Sequence, residues 1–199
     1  MEAQAMFTMR KTCISERWSS LTWLKKVQWT LLVIFSTWLA VVLLSPFTLP
    51  SGSVQDLSGS VGDIDNKETL QEMNPLARAV YTAGDTYCHQ ISDRSYFLNG
   101  NQMPFCARDL GIFVGLVAGI SLGLVFQVRI GVLAFLLGMA PMVIDGGLQL
   151  FLDYQSTNPL RTSTGLMAGT AISLAFGQLA AGLGPGRRRI LKGRVKPEK

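Results

Sequence analysis

The chain has 199 residues, of which 48% are hydrophobic and only 16% charged, with a formal net charge of +5 and a mean hydropathy of +0.30. Long stretches are almost free of charge while both ends are dense in Lys and Arg, a pattern that excludes an ordinary soluble domain and marks a polytopic membrane protein. The basic excess lies in tails beside apolar segments without aromatic interleaving, so it reads as a topology signal and not as a nucleic-acid surface.

A basic tail, 1–26, carries Arg10, Lys11, Arg17, Lys25 and Lys26. The apolar run Val27–Leu44 follows, and a first transmembrane anchor is expected over 27–46. Its core of about 18 residues is long for a signal peptide. Ser45-Pro46 offers no small-x-small cleavage site, so an uncleaved anchor is expected. Residues 47–73 hold Gly52, Gly59 and Gly62 with Asp56, Asp63, Asp65 and Glu68, and show no apolar periodicity. They read as a polar loop.

Residues 74–184 are expected to form the core, a surface helix followed by three more transmembrane helices. Asn74-Pro75 is a helix start with proline at the first helical position. It opens a short amphipathic helix that reaches about Tyr96 and ends at the turn signal Leu98-Asn99-Gly100-Asn101. The second span, 105–126, repeats Gly111, Gly115, Gly119 and Gly123 at every fourth position. The third, 130–152, contains Pro141 and Asp145. After the polar loop 153–161, the fourth span, 162–183, carries Gly165, Gly169, Ser173, Gly177 and Ala181 at the same spacing. Small-residue stripes let helix backbones approach closely in a bilayer. The second and fourth spans are therefore expected inside the bundle and the first at its periphery.

The fold expected is all-α: a membrane bundle of four transmembrane helices plus an amphipathic surface helix. The basic tail 185–199 reads as a topology anchor that can also touch anionic lipid. With four spans, the N-tail, the Arg129 link and the C-tail share one side and hold thirteen of the 18 Lys and Arg residues. The positive-inside rule then places both termini in the cytoplasm of a multi-pass cell-membrane protein.

Three groups of residues can carry chemistry. The first is Asp85-x-x-Cys88-His89-Gln90 with Arg94, followed by Cys106-Ala107-Arg108-Asp109; His89 is the single histidine. If both segments are helical, Asp85, Cys88 and His89 share a face, as do Cys106 and Asp109. Cys88, His89, Cys106 and Asp109 offer the thiolate, imidazole and carboxylate that zinc takes. A Cys88–Cys106 disulfide or two free thiols remain open beside the zinc reading. Cys13, in the N-terminal tail, stands apart from both.

The second is Asp145, a carboxylate inside an apolar span, where such groups face the protein interior and often mark function. Gln149 lies one turn further on. Asp145 and His89 are the candidate catalytic groups, with a packing hydrogen bond or an ion pair to Arg108 or Arg161 as the structural alternative for Asp145. The third is Ser156-Thr157-Asn158-Pro159-Leu160-Arg161, a polar loop with an arginine opening a helix, which suits an anion or ordinary capping. Arg94, Arg108, Gln149, Asn158 and Arg161 are the candidate substrate-binding residues. The topology brings all of these segments to the outer surface, as a polar pocket roofed by the surface helix.

Cys88-His89-Gln90, Arg94-Ser95, Pro104-x-Cys106-Ala107-Arg108-x-x-Gly111, Asp145-Gly146-x-x-Gln149 and Ser156-Thr157-Asn158-x-x-Arg161-x-x-Thr164-Gly165 together resemble an uncharacterised prokaryotic membrane family, the domain of unknown function numbered 2085. Many such proteins look like Cys-x-Arg-Cys where this chain has Cys106-Ala107-Arg108-Asp109, so Asp109 replaces a thiol. That keeps a zinc ligand but removes a two-cysteine redox pair. The resemblance implies no reaction.

The leading expectation is a zinc-assisted site on an anionic or lipid-like substrate, with zinc-activated water serving hydrolysis or group transfer. The rival is a non-enzymatic binding, translocating or assembly subunit with a structural disulfide, acting as a homo-oligomer or beside a partner membrane subunit. A transporter of anionic lipid or phosphate is a third reading. A glycine-rich phosphate loop, a dinucleotide fingerprint and a His-x-x-x-His metalloprotease motif are all absent from the sequence.

Overall fold

Each long apolar run is a helix in the computed structural model, which describes residues 2–152 and 154–182, with side chains over 23–152 and 154–180. Helix α1 is Glu2–Leu44 and passes into a 3-10 turn, Ser45–Thr48. Pro46 has no N–H to continue the helical ladder, and the Ser45 hydroxyl donates to the Val42 carbonyl instead, at 3.1 Å. Helices α4 (Ala107–Phe126), α5 (Val132–Phe151) and α6 (Asn158–Gly182) are the last of the described elements.

Among the described residues, three segments are long and apolar enough to cross a membrane: Trp23–Thr48, α4 and α5. A fourth, over 162–183, is expected from the sequence in the last helix. Helix α6 has the length, about 37 Å at 1.5 Å per residue, but its hydroxyls, Arg161 and Gln178 make it less apolar than α4 or α5.

Helices α4 and α6 form the most extensive helix pair, and their backbones touch. A Cβ on Gly111 would stand 2.2 Å from the Thr162 carbonyl oxygen, and one on Gly169 would stand 2.3 Å from that of Ile112. The Thr162 hydroxyl donates across the seam to the Ala107 carbonyl at 3.1 Å. Helix α5 lies on α6, with Gly138 against Ala171. Helix α1 covers the outside of α4, where Trp38, Phe105 and Phe113 meet edge to face at centroid distances of 5.1–6.1 Å, a favoured aromatic geometry.

Between α1 and α4 the chain departs from expectation. A short helix α2 (Lys67–Glu72) precedes α3 (Pro75–Tyr87), whose start is as read: Asn74 accepts from the Ala77 N–H at 3.0 Å, and Pro75 follows it. The helix expected to reach Tyr96 ends at Tyr87, and Cys88 is already extended. Strands β1 (Ser95–Leu98) and β2 (Asn101–Cys106) then form an antiparallel hairpin, so the fold is not wholly helical. Asn99 and Gly100, at φ of +54° and +70°, make its two-residue turn, the left-handed geometry that matches strand twist. Asp85, Cys88 and His89 therefore do not share a helix face.

The polar stretch 47–73 is not an independent loop. Leu49, Val54 and Leu57 pack with Leu70, Met73, Ala77 and Tyr81 into a small core. Side-chain amides stand in for a sheet there: the Asn101 carbonyl oxygen accepts from the Val54 N–H at 3.0 Å, and that of Gln102 accepts from the Leu57 N–H at 3.1 Å. The expected basic tail 185–199 and Asp153 lie outside the described residues, as do the side chains of Arg10, Lys11, Cys13 and Arg17.

Candidate functional site

The candidate residues meet at the end of the bundle where α4 and α6 begin and α5 ends. The segment just after α3 supplies one wall. Gly84 lets α3 press on β2, because a Cβ there would lie 1.9 Å from the Pro104 carbonyl oxygen. The Tyr81 hydroxyl donates to the Gln102 carbonyl at 2.7 Å, and the Gln102 amide donates to the Gln90 carbonyl at 2.5 Å. Gln90 takes φ of +45°, uncommon for a residue with a side chain, and its amide donates to Pro104 O at 2.8 Å. These contacts fix the direction of Cys88, His89 and Arg94.

Cys88 is buried and Cys106 half-buried, both as free thiols. Their sulfurs and a carboxylate oxygen of Asp109 all lie within 4.8 Å of one another. Cys106 caps α4 and its thiol donates to Asp109 Oδ2 at 3.2 Å, one turn into the helix. The hydrogen bond with Cys106, and secondly burial, push the Cys88 thiol well above its ordinary range.

His89 is exposed and does not join this cluster. Its Nδ1 faces the Gly59 carbonyl at 3.3 Å, while its own carbonyl accepts from the Gly59 N–H at 3.0 Å. Asp85 is also elsewhere: it is buried and accepts from the Asn66 side chain at 2.6 Å and the Asn66 N–H at 3.2 Å.

A cavity of about 90 Å³ opens beside the thiols, with Arg94, Arg108 and Arg161 on its wall together with His89, Gln90 and Gln149. At a water's share of liquid volume, about 30 Å³, this is room for roughly three waters. The roof is the 88–94 segment and not the expected surface helix, α3. Asp145 stands behind Arg108 and not on the wall. It is 5% exposed and accepts from Arg108 Nη2 at 2.5 Å and from the Gln149 amide at 3.0 Å. Arg161, 3% exposed, donates to Asn158 Oδ1 at 3.1 Å and to Gln149 Oε1 at 3.4 Å. Asn158 in turn donates to the Ser95 carbonyl, which ties α6 to the hairpin.

The structure thus gathers Cys88, Cys106 and Asp109 in one cluster and Arg94, Arg108, Asp145, Gln149, Asn158 and Arg161 in the adjoining network. Gln90 stands in the motif read from the sequence, but no role is assigned to it there. It is 1% exposed and lines the cavity, and the available signal was its place directly after Cys88-His89. A second cavity, toward the other end of the α4–α6 seam, is lined by Gln28, Gln127, Arg129 and Gln178. Among the described residues it holds no grouping of metal ligands.

The family model described as a predicted membrane protein (DUF2085) matches residues 88–175, from Cys88 into α6. An uncharacterised protein of Methanocaldococcus jannaschii is 30% identical over 111 residues, which is 53% of this chain and 70% of that protein. An uncharacterised protein of Methanothermobacter thermautotrophicus is 34% identical over 90 residues, 44% of this chain and 81% of that protein. No solved structure matches the chain. Every residue of the cavity wall falls within the matched segment.

Proposed function

The chain belongs to the DUF2085 family of predicted membrane proteins, and on that footing we propose a four-helix integral protein of the cell membrane with a zinc-assisted pocket at its extracytoplasmic face, acting on an anionic or lipid-like substrate. The observation that carries this reading is the convergence of Cys88, Cys106 and Asp109 within 4.8 Å, directly beside a cavity walled by three arginines. Bonds of 2.0–2.3 Å in a tetrahedral zinc site put neighbouring ligand atoms roughly 3.3–3.8 Å apart. Cys106 Sγ and Asp109 Oδ2, at 3.2 Å, already stand that close, and an inward shift of Cys88 by about 1 Å would complete the site. Three protein ligands leave a fourth position for water, the arrangement of catalytic rather than structural zinc. Water activated there suits hydrolysis or group transfer. His89, on the cavity wall, is the available proton carrier, and Asp145 serves by holding Arg108.

The four-span reading draws support from packing. Helix α6 lies along the whole of α4, so it occupies the same depth of membrane. Lys25, Lys26 and Arg129 lie toward the end opposite the site, and the positive-inside rule assigns that end to the cytoplasm.

The test is metal analysis of protein purified without chelator. One zinc per chain is expected, falling to near zero in Cys88→Ser. The absence of stoichiometric metal from the unaltered protein would overturn the reading. The closeness of the two sulfurs also suits a non-enzymatic subunit stapled by a Cys88–Cys106 disulfide. A non-reducing peptide map that recovers the linked peptides would favour that alternative, and free labelling of both thiols in intact cells would remove it.

A further inference from the structure

We infer that Arg94, Arg108, Arg161 and Gln90 bind a phosphate-type oxyanion that presents one O–H. The inference rests on reading the cavity as a substrate site and names the substrate's chemistry. Among the described residues, the wall holds three guanidinium groups and no carboxylate. Asp145, behind it, neutralises Arg108 alone, and Asp109 is engaged with the Cys106 thiol. Loading zinc with loss of two thiol protons leaves the sum of charges at the thiol cluster unchanged, so the surplus of positive charge belongs to the arginines with or without metal. A largely buried cationic surplus favours an anion, and planar guanidinium forks favour phosphate-like geometry.

The unpartnered atoms refine the choice. Of the buried side-chain atoms without a partner, those on wall residues are the donors Arg108 Nε and Arg161 Nε and the acceptor Gln90 Oε1, while Asp145 Oδ1 and Ser156 Oγ belong to residues off the wall. Because the Gln90 amide nitrogen is fixed on the Pro104 carbonyl, its oxygen is the atom left over, and it calls for a donor. Buried polar groups are nearly always satisfied in folded proteins. A ligand with acceptor oxygens and one hydroxyl, such as a hydrogen phosphate, a phosphomonoester or a phosphate head group bearing an alcohol, answers all three.

The experiment uses the full chain in nanodiscs of phosphatidylcholine, titrated with inorganic phosphate and with sulfate, which has the same shape but no O–H at neutral pH. Phosphate is expected to bind at least about tenfold more tightly than sulfate. Arg94→Gln is expected to weaken phosphate by about tenfold or more, the scale of one charge-assisted hydrogen bond. Arg94 is only half-buried and its replacement is compatible with folding; Arg129→Gln, at the other end, is the control expected to change nothing. Nanodiscs containing phosphatidic acid or phosphatidylglycerol separate the sources. Competition of such a lipid with phosphate assigns the site to a lipid head group, while binding that ignores lipid assigns it to free phosphate, and either supports the inference.

Equal affinity for sulfate, an unchanged Arg94→Gln, or no binding of phosphate or either lipid overturns it. The titration is repeated after chelation. Phosphate binding that survives metal removal upholds the arginine site even if the zinc reading has failed, and binding that requires the metal overturns the arginine site while leaving zinc in place.

Discussion

The Arg108–Asp145 pair allows a prediction whose sign depends on burial. The two side chains form one ion pair, but Asp145 is 5% exposed and Arg108 25% exposed. At an effective dielectric of 20 and about 4 Å, a pair of unit charges is worth roughly 4 kcal/mol, and water at the cavity side of Arg108 reduces that. What matters for a single replacement is the charge left behind. Arg108→Gln leaves a carboxylate sealed in the bundle with only the Gln149 amide as partner and one oxygen already unpaired. That is the case of a buried charge robbed of its counter-ion, costing about 3–5 kcal/mol.

Asp145→Asn leaves a guanidinium that reaches the cavity, and the new amide still accepts from Arg108, so about 1–2 kcal/mol is expected. The double replacement removes the stranded charge and should be more stable than Arg108→Gln alone. Equilibrium unfolding of the four proteins in one mixed-micelle system measures the cycle. Equal losses in the two single variants, or a larger loss in Asp145→Asn, would refute the argument from burial.

Other outcomes follow from the same geometry. Gly169→Ala would put a Cβ 2.3 Å from the Ile112 carbonyl oxygen, forcing α4 and α6 apart at a cost of about 1–3 kcal/mol; Gly147→Ala, with open space around it, should cost nothing in the same unfolding assay. Zinc must displace both thiol protons, and the Cys88 proton is held more firmly than in a free cysteine. Lower pH therefore weakens binding and higher pH strengthens it, by up to about 100-fold per pH unit for two protons, which a chelator-dye competition between pH 6 and 8 can measure.

The sequence makes the long helices legible because a bilayer-length apolar run has few alternatives. It also marks the α4–α6 seam, since glycine at every fourth position is visible as a pattern before any partner is known. Asn74-Pro75 marks the start of α3 for an equally local reason. The hairpin is less legible. Ser95–Cys106 mixes apolar and amide residues, and its Asn99-Gly100 turn signals an end of helix as readily as a strand pair. The 47–66 segment is illegible by periodicity, because Leu49, Val54 and Leu57 are buried against Leu70, Met73, Ala77 and Tyr81, and the Val54 and Leu57 N–H groups are taken up by side-chain amides 47 and 45 residues away in sequence.

At the site, chemistry was readable and direction was not. Cys88, Cys106 and Asp109 could be grouped by ligand type. The turn of the backbone at Gln90, which keeps His89 out of that group, depends on Gln102 and Pro104, and no local pattern announces it. Arg161 was legible as an arginine at a helix start, whereas its burial depends on Gln149 and Asn158 arriving from other elements.

The wrapping of residues 45–66 around the hairpin has a consequence for biogenesis. Asn101 donates to the Pro46 carbonyl at 2.9 Å and Gln102 N–H to the Val54 carbonyl at 2.8 Å, so the stretch that follows α1 finds its partners only once residues 101–102 have been synthesised. At 5–20 residues per second the delay is roughly 2–10 seconds, during which the Val54 and Leu57 N–H groups lack the side-chain amides that accept from them. A fragment cut to the family-matched segment would inherit the opposite defect, with Met103 and Phe105 stripped of Val42 and their cover. The first helix and its trailing segment are therefore part of the folding unit that shapes the cavity, and expression trials should keep them.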